Sequence, residues 1–157
     1  MESWFVDVAT FCKACRKYIG DMPYIANWID KDDGLDIVRI LMLCKQRIMK
    51  QLECNTSDVH VVLHVNLILE EMIELIGSIL YGEIHEVATE SVDVIYVVIG
   101  AALAFGIDLR PVWNAVHEAN MLKAGGPVRE DGKQLKPVDW EPANIAKIIT
   151  DQGPLKI

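Results

Sequence analysis

The two most apolar stretches of this 157-residue chain are broken by acids, and the acids recur at helical spacing. The first stretch, LHVNLILEEMIELIGSIL, carries Glu70, Glu71 and Glu74; the second, HEVATESVDVIYVVIGAALAFGIDL, carries Glu90 and Asp93. Apolar residues at intervals of three and four specify helices that bury a face. A carboxylate desolvated in such a helix is costly unless it is paired or bound to a cation. EExxE, followed by ExxD with Glu90 sixteen residues after Glu74, therefore points to a hard-cation site between two packed helices.

Register supports this. Glu70 and Glu74 lie one turn apart, and Glu71 stands three residues before Glu74, so the three form one strip. If the two helices pack antiparallel through a turn at 81–83, residues equidistant from the turn meet. Glu74 and Glu90 are each eight residues from Gly82, Glu71 and Asp93 eleven, and Glu70 twelve. Two like charges 4 Å apart repel by roughly 4 kcal/mol at an effective dielectric of 20. Either some of the five stay protonated, or cations bind. Oxygen donors favour Mg²⁺, Mn²⁺ or Ca²⁺ over Zn²⁺; one or two Mg²⁺ ions are the expectation, with Mn²⁺ as an alternative. The competing reading is ordinary surface acids paired with basic residues. No Lys or Arg occurs between Lys50 and Arg110, so such partners must come from other elements. A di-iron bundle needs Glu-x-x-His, and no histidine follows Glu70, Glu71 or Glu90 at that spacing. His60 and His64 lack the intervening glutamate of a zinc protease, because residue 61 is valine; a partly buried pair near a helix start is expected.

The length suits a single domain over 1–157. A net charge of −8 argues against a nucleic-acid backbone as partner, since that needs a basic face. The opening MESWFVDVATF does not read as a secretory leader, so a reduced, cytoplasmic setting is expected for the four cysteines. Cys12-x-x-Cys15 has no second pair at finger spacing and reads as two small residues on one helical turn. The uncharged run after Asp93 is shorter than the ~20 residues of a membrane span, so a buried core helix is expected and no membrane.

Helical periodicity predicts a first helix over 3–19, stopped at Gly20, with Trp4, Val8, Phe11, Cys12 and Cys15 on one face. Residues 20–34 read as loop. A helix over 35–53 turns Ile37, Ile40, Leu41, Leu43, Cys44, Ile48 and Leu52 one way and Arg39, Lys45 and Gln46 largely away. Thr56, Ser57 and Asp58 are N-cap candidates for a helix ending near Tyr81 and Gly82. The next runs from 83 or 84 to about Phe105, Gly106 caps it, and Asp108 caps a last helix reaching about Lys123. The tail, with Asp131-Gly132 and nearby prolines, reads as a turn or short hairpin and then extended chain. The class is all-α, a bundle of four to five helices.

His117, Asn120 and Lys123 share one side of the last helix, and Arg129, Lys133 and Lys136 follow it. Cations and an amide of this kind suit a polyphosphate bridged by a metal; a solvated helix end is the plainer alternative.

Together, EExxE, ESVDVIYVVIGAALAFGIDL, VHEANMLKAGGPVREDGKQLKP and WEPANI give a chain that resembles the MazG-like all-α nucleoside triphosphate pyrophosphohydrolases, especially small proteins akin to phosphoribosyl-ATP pyrophosphohydrolase. The likeness covers a core of about 58–145, and the chain departs from the family's pattern in an extra helix at 35–53 before that core. It implies metal ligation by Glu70, Glu71, Glu74, Glu90 and Asp93, with one of the EExxE acids orienting or deprotonating the attacking water. It also implies nucleotide contacts from Asn120 and Lys123, with Arg129, Lys133 and Lys136 as further substrate-binding candidates. The implied activity is Mg²⁺-dependent hydrolysis of a nucleoside triphosphate, including a deoxy or non-canonical one, to the monophosphate and pyrophosphate. The alternatives are phosphoribosyl-ATP as substrate, a metal–nucleotide binding module without turnover, and a purely structural helical oligomer. A homodimer or homotetramer is implied, agreeing with helices this apolar. Trp28, Trp113 and Tyr96 are candidates to contact the base.

Overall fold

A computed structural model describes residues 2–25 and 29–155, the side chain of Glu2 excepted. Six helices are present among them: α1 (Glu2–Ala14), α2 (Lys31–Asn55), α3 (Val59–Tyr81), α4 (Ile84–Ala104), α5 (Leu109–Met121) and α6 (Ile145–Asp151). No strand forms among the described residues; Val128 and Gln134 make one isolated antiparallel bridge. The chain is all-α, as its periodicity requires. It divides into two compact units, one of Met22–Phe105 and one joining Met1–Asp21 to Gly106–Ile157.

In the unit of α2, α3 and α4, α3 packs against both neighbours. The Asp58 carboxylate accepts from the N–H groups of His60 and Val61, satisfying two orphan donors at the start of α3. At the start of α4 the Glu83 N–H donates to the Glu86 carboxylate, so these two acids serve the cap. Helix α2 begins at Lys31, earlier than the expected 35, because the Asp30 carboxylate accepts from Asp32 N and two acids in the first turn favour the dipole. Gly34, expected in a loop, is instead a packing position. A Cβ there would come within 2.9 Å of the Tyr81 ring, and one at Gly77 within 3.0 Å of the Tyr81 hydroxyl and 3.5 Å of Val38. These two glycines and Val38, all buried, bring α2 onto α3.

This close approach rotates α2 from the face its apolar residues suggested. The stripe running through Val38, Leu41, Lys45, Met49 and Leu52 is the covered one, whereas Ile37, Ile40, Leu43, Cys44 and Ile48 stay exposed. Lys45, expected to face away, is only 19% exposed in its side chain. The expectation that α4 is a buried core helix is not met within one chain. Only Ala101 and Ala102 of α4 are buried, while Val92, Ile95, Tyr96, Val98 and Leu103 are exposed. It is also the one helix among the described residues long and apolar enough to cross a membrane.

In the other unit α5 packs against α1 and α6. Trp4 and Trp113 stack with centroids 4.6 Å apart, and the Trp113 indole N–H donates to Asp7 at 2.8 Å. Helix α1 ends at Ala14, well before Gly20. Lys17 N–H bonds the Cys12 carbonyl, and Arg16 N–H, at φ 52, bonds that of Lys13; together they close the helix as a Schellman cap. Val8 lies exposed, and Asp7 takes the place expected of an apolar residue. Helix α6 was not foreseen; the Asn144 side chain accepts from Lys147 N to start it. Gln152, just after it, bonds Asp108 N and the Gly106 carbonyl.

Candidate functional site

The turn at Gly82 folds α4 back along α3, and the acidic strips of the two helices come level. Carboxylate oxygens of Glu71, Glu90 and Asp93 lie within 4.8 Å of one another, all half-buried. Burial and the negative charges of Glu74, Asp93, Glu90 and Glu70 raise the Glu71 carboxyl above its ordinary range. Burial and the charges of Glu74, Asp93 and Glu86 do the same for Glu90. Both causes disfavour the ionised form. Three convergent carboxylates with oxygen donors alone fit a hard divalent cation, which would relieve that repulsion.

Glu74 is exposed and acts electrostatically on both Glu71 and Glu90. Glu70 faces the other way. Its carboxylate accepts from Lys45 Nζ at 3.1 Å and from Asn66 Nδ2 at 3.4 Å. The basic partner absent from the sequence around EExxE is therefore supplied by α2. Lys45, Gln46 and Asn66, with Met42, Met49 and Ile73, line a groove of about 390 Å³ that Glu70 and Glu74 also border.

The residues expected to bind phosphate lie in the unit of α5. Lys123 Nζ donates to Asn120 Oδ1 at 2.6 Å. Lys136 and Lys123 stand over the Trp140 ring, 4.0 and 5.2 Å from its centroid. Arg129 is engaged elsewhere, by Asp131, whose carboxyl it holds below the ordinary range. The exposed Lys133 uses its backbone N–H on the same Asp131. His117 Nε2 lies 3.7 Å from Asp7 and so serves α1.

Of the aromatic candidates for a base, Trp113 is occupied by Trp4, Tyr96 is 69% exposed, and Trp28 lies outside the described residues. His60 is exposed, against expectation, and only His64 is partly covered. The side chains that the sequence reading missed are Lys45, Asn66 and Trp140. Lys45 and Asn66 could have been found from the need for a partner to Glu70, with Asn66 one helical turn before it; nothing in the spacing marked Trp140.

Comparison with curated proteins gives no match. Residues 45–120, from within α2 to the end of α5, match the family described as phosphoribosyl-ATP pyrophosphohydrolase. That segment contains EExxE, ExxD and Asn120. The chain thus carries, over residues 45–120, a domain of the phosphoribosyl-ATP pyrophosphohydrolase family, part of the MazG-like all-α superfamily of hydrolases that act on phosphoric anhydride bonds.

Proposed function

We propose that this protein hydrolyses a nucleoside triphosphate, a deoxy or non-canonical one included, to the monophosphate and pyrophosphate with Mg²⁺, or Mn²⁺ in its place. The observation that carries the reading is the convergence of Glu71, Glu90 and Asp93 from two helices on one point. These three would hold the cation, with Glu74 at the edge of the site; Glu70, bound by Lys45 and Asn66, borders it from the groove side. When bound, the cation supplies Lewis-acid polarisation of the phosphoryl group under attack.

The chain's own residues do the rest. Glu74, exposed at the edge of the cluster, orients the attacking water and accepts its proton. Asn120 and Lys123 contact the polyphosphate, and Lys136 and Lys133 add positive charge to it; Arg129, paired with Asp131, is committed to that carboxylate. Phosphoryl transfer is catalysed chiefly by positioning and electrostatic stabilisation, which suits a site made of charges. The groove at Lys45, Gln46 and Asn66 offers amide donors and acceptors for a base. A second reading, phosphoribosyl-ATP as substrate, is favoured by the family matched at residues 45–120.

The exposed apolar residues of α2, α3 and α4 are covered by a second copy of the chain, giving a homodimer or homotetramer in the cytoplasm.

The test is incubation with a panel of ribo- and deoxynucleoside triphosphates and phosphoribosyl-ATP, with Mg²⁺ or with EDTA, and separation of products. Monophosphate plus pyrophosphate, lost in EDTA, is the expected result. Glu74→Gln should leave no more than a few per cent of the rate, roughly the 10²-fold or larger effect of losing a general base, with the fold intact. Turnover by that variant near the wild-type rate would remove Glu74 from the mechanism. No turnover of any substrate would leave the binding module, and in the absence of a Mg²⁺-dependent rise in melting temperature, a structural oligomer.

A further inference from the structure

Beyond α5 the chain is turned so that one indole meets two ammonium groups. Gly125, at φ +92, and Gly126 make the turn, and a Cβ at Gly126 would lie 2.7 Å from the Leu135 carbonyl oxygen. Only glycine lets the arms close that tightly. Leu135 N–H donates to the Pro127 carbonyl, and the Gln134 amide donates to that of Gly126. The returning arm carries Lys136 and then Trp140. The Trp140 indole N–H donates to the Ala119 carbonyl at 2.6 Å, which fastens the ring to the last turn of α5.

Lys136 at 4.0 Å and Lys123 at 5.2 Å from the ring centroid are both within reach of cation–π attraction. Among the described residues, neither lysine forms an ion pair with a carboxylate. A carboxylate would position them but cancel their charge. An indole positions them and leaves both charges available to an anion.

We propose that Trp140 is the positioning residue of a diphosphate-binding pair, Lys123 and Lys136. This rests on the reading of the two lysines as substrate-binding residues and adds what holds them in place. The ligand class is a pyrophosphate group, whether the leaving group of the reaction or free pyrophosphate as product.

Calorimetric titration of the full-length protein with inorganic pyrophosphate and Mg²⁺ tests this, on wild type, Lys123→Gln, Trp140→Leu and Trp140→Phe. Loss of both cation–π contacts should weaken binding by Trp140→Leu about fivefold or more, whereas Trp140→Phe, which keeps a ring but loses the bond to Ala119, should weaken it by less than Trp140→Leu does. In turnover, KM should rise by the same factor in Trp140→Leu with kcat within about twofold of wild type. Wild-type affinity in Trp140→Leu, with binding lost in Lys123→Gln, would overturn the role of Trp140 and leave the lysines as binding residues. Wild-type affinity in Lys123→Gln would overturn that underlying reading and the proposal with it. If Trp140→Leu does not fold, NMR of the wild-type protein decides. The ε-methylene protons of Lys123 and Lys136 should be shifted upfield by the indole and remain so when pyrophosphate binds; random-coil positions would overturn the proposal.

Discussion

Glu71 and Glu90 hold their protons more tightly folded than unfolded, because burial and neighbouring carboxylates oppose their ionisation. A carboxyl whose folded pKa is raised contributes stability that is fully present below its unfolded value, near 4.5, and is lost as pH rises through the higher folded value. In chelator, the melting temperature should therefore fall as pH rises from that value toward neutrality. Saturating Mg²⁺ should abolish the fall, since the cation then takes over from the protons. Asp108 and Asp131 shift the opposite way, held down by Arg110 and Arg129. Their contribution is lost only as pH falls below the ordinary aspartate value of 3.8, so the two windows do not overlap. A thermal scan flat between pH 4.5 and 7 in EDTA would count against coupling of these carboxylates. The identities of Glu71, Glu90 and Asp93 were legible in the sequence because counting from one glycine sets the level at which they meet. The orientation of Glu70 was not, because it depends on a lysine that reaches α3 from another helix.

At the scale of the element, the α3–α4 hairpin follows from local signals: an aspartate cap, a glycine stop and a glutamate cap. Helix α2 shows what local signals leave open. Its apolar residues are spread widely enough that several faces could pack, and two glycines choose among them by letting backbones approach. The end of α1 was hidden for a related reason: an arginine adopts the left-handed conformation usually taken by glycine. Replacing Gly77 by valine should force α2 away from α3. The expected loss is about 1–3 kcal/mol, the usual cost of overpacking. Chemical denaturation would measure it, and an unchanged midpoint would show that the contact at Val38 and Tyr81 is not close. Because Lys45 shares this interface, the same variant should also loosen the hold on Glu70.

Across the whole molecule, core formation within one chain is sparse. Five hydrophobic side chains are buried among the described residues, and no large one is fully so. Helix α4 carries Glu90 and Asp93 along its length and leaves Val92, Ile95, Tyr96, Val98 and Leu103 exposed within one chain. Light scattering coupled to size exclusion, without detergent, should give at least twice the 17.6 kDa mass of one chain. A monomer under those conditions would leave the exposed faces of α3 and α4 in need of another cover.

The stacking of Trp4 on Trp113 joins the start of the chain to a helix near its end. During synthesis α1 is made before α2, α3 and α4, yet its partner is made only after the whole of them. The carboxylate hairpin can assemble while the nascent N-terminus still waits, whereas the unit bearing Lys123 and Trp140 must close a loop of about a hundred residues, which is slow to form. That order leaves α1 waiting until α5 has been made, so the unit the two share is completed from both ends of the sequence.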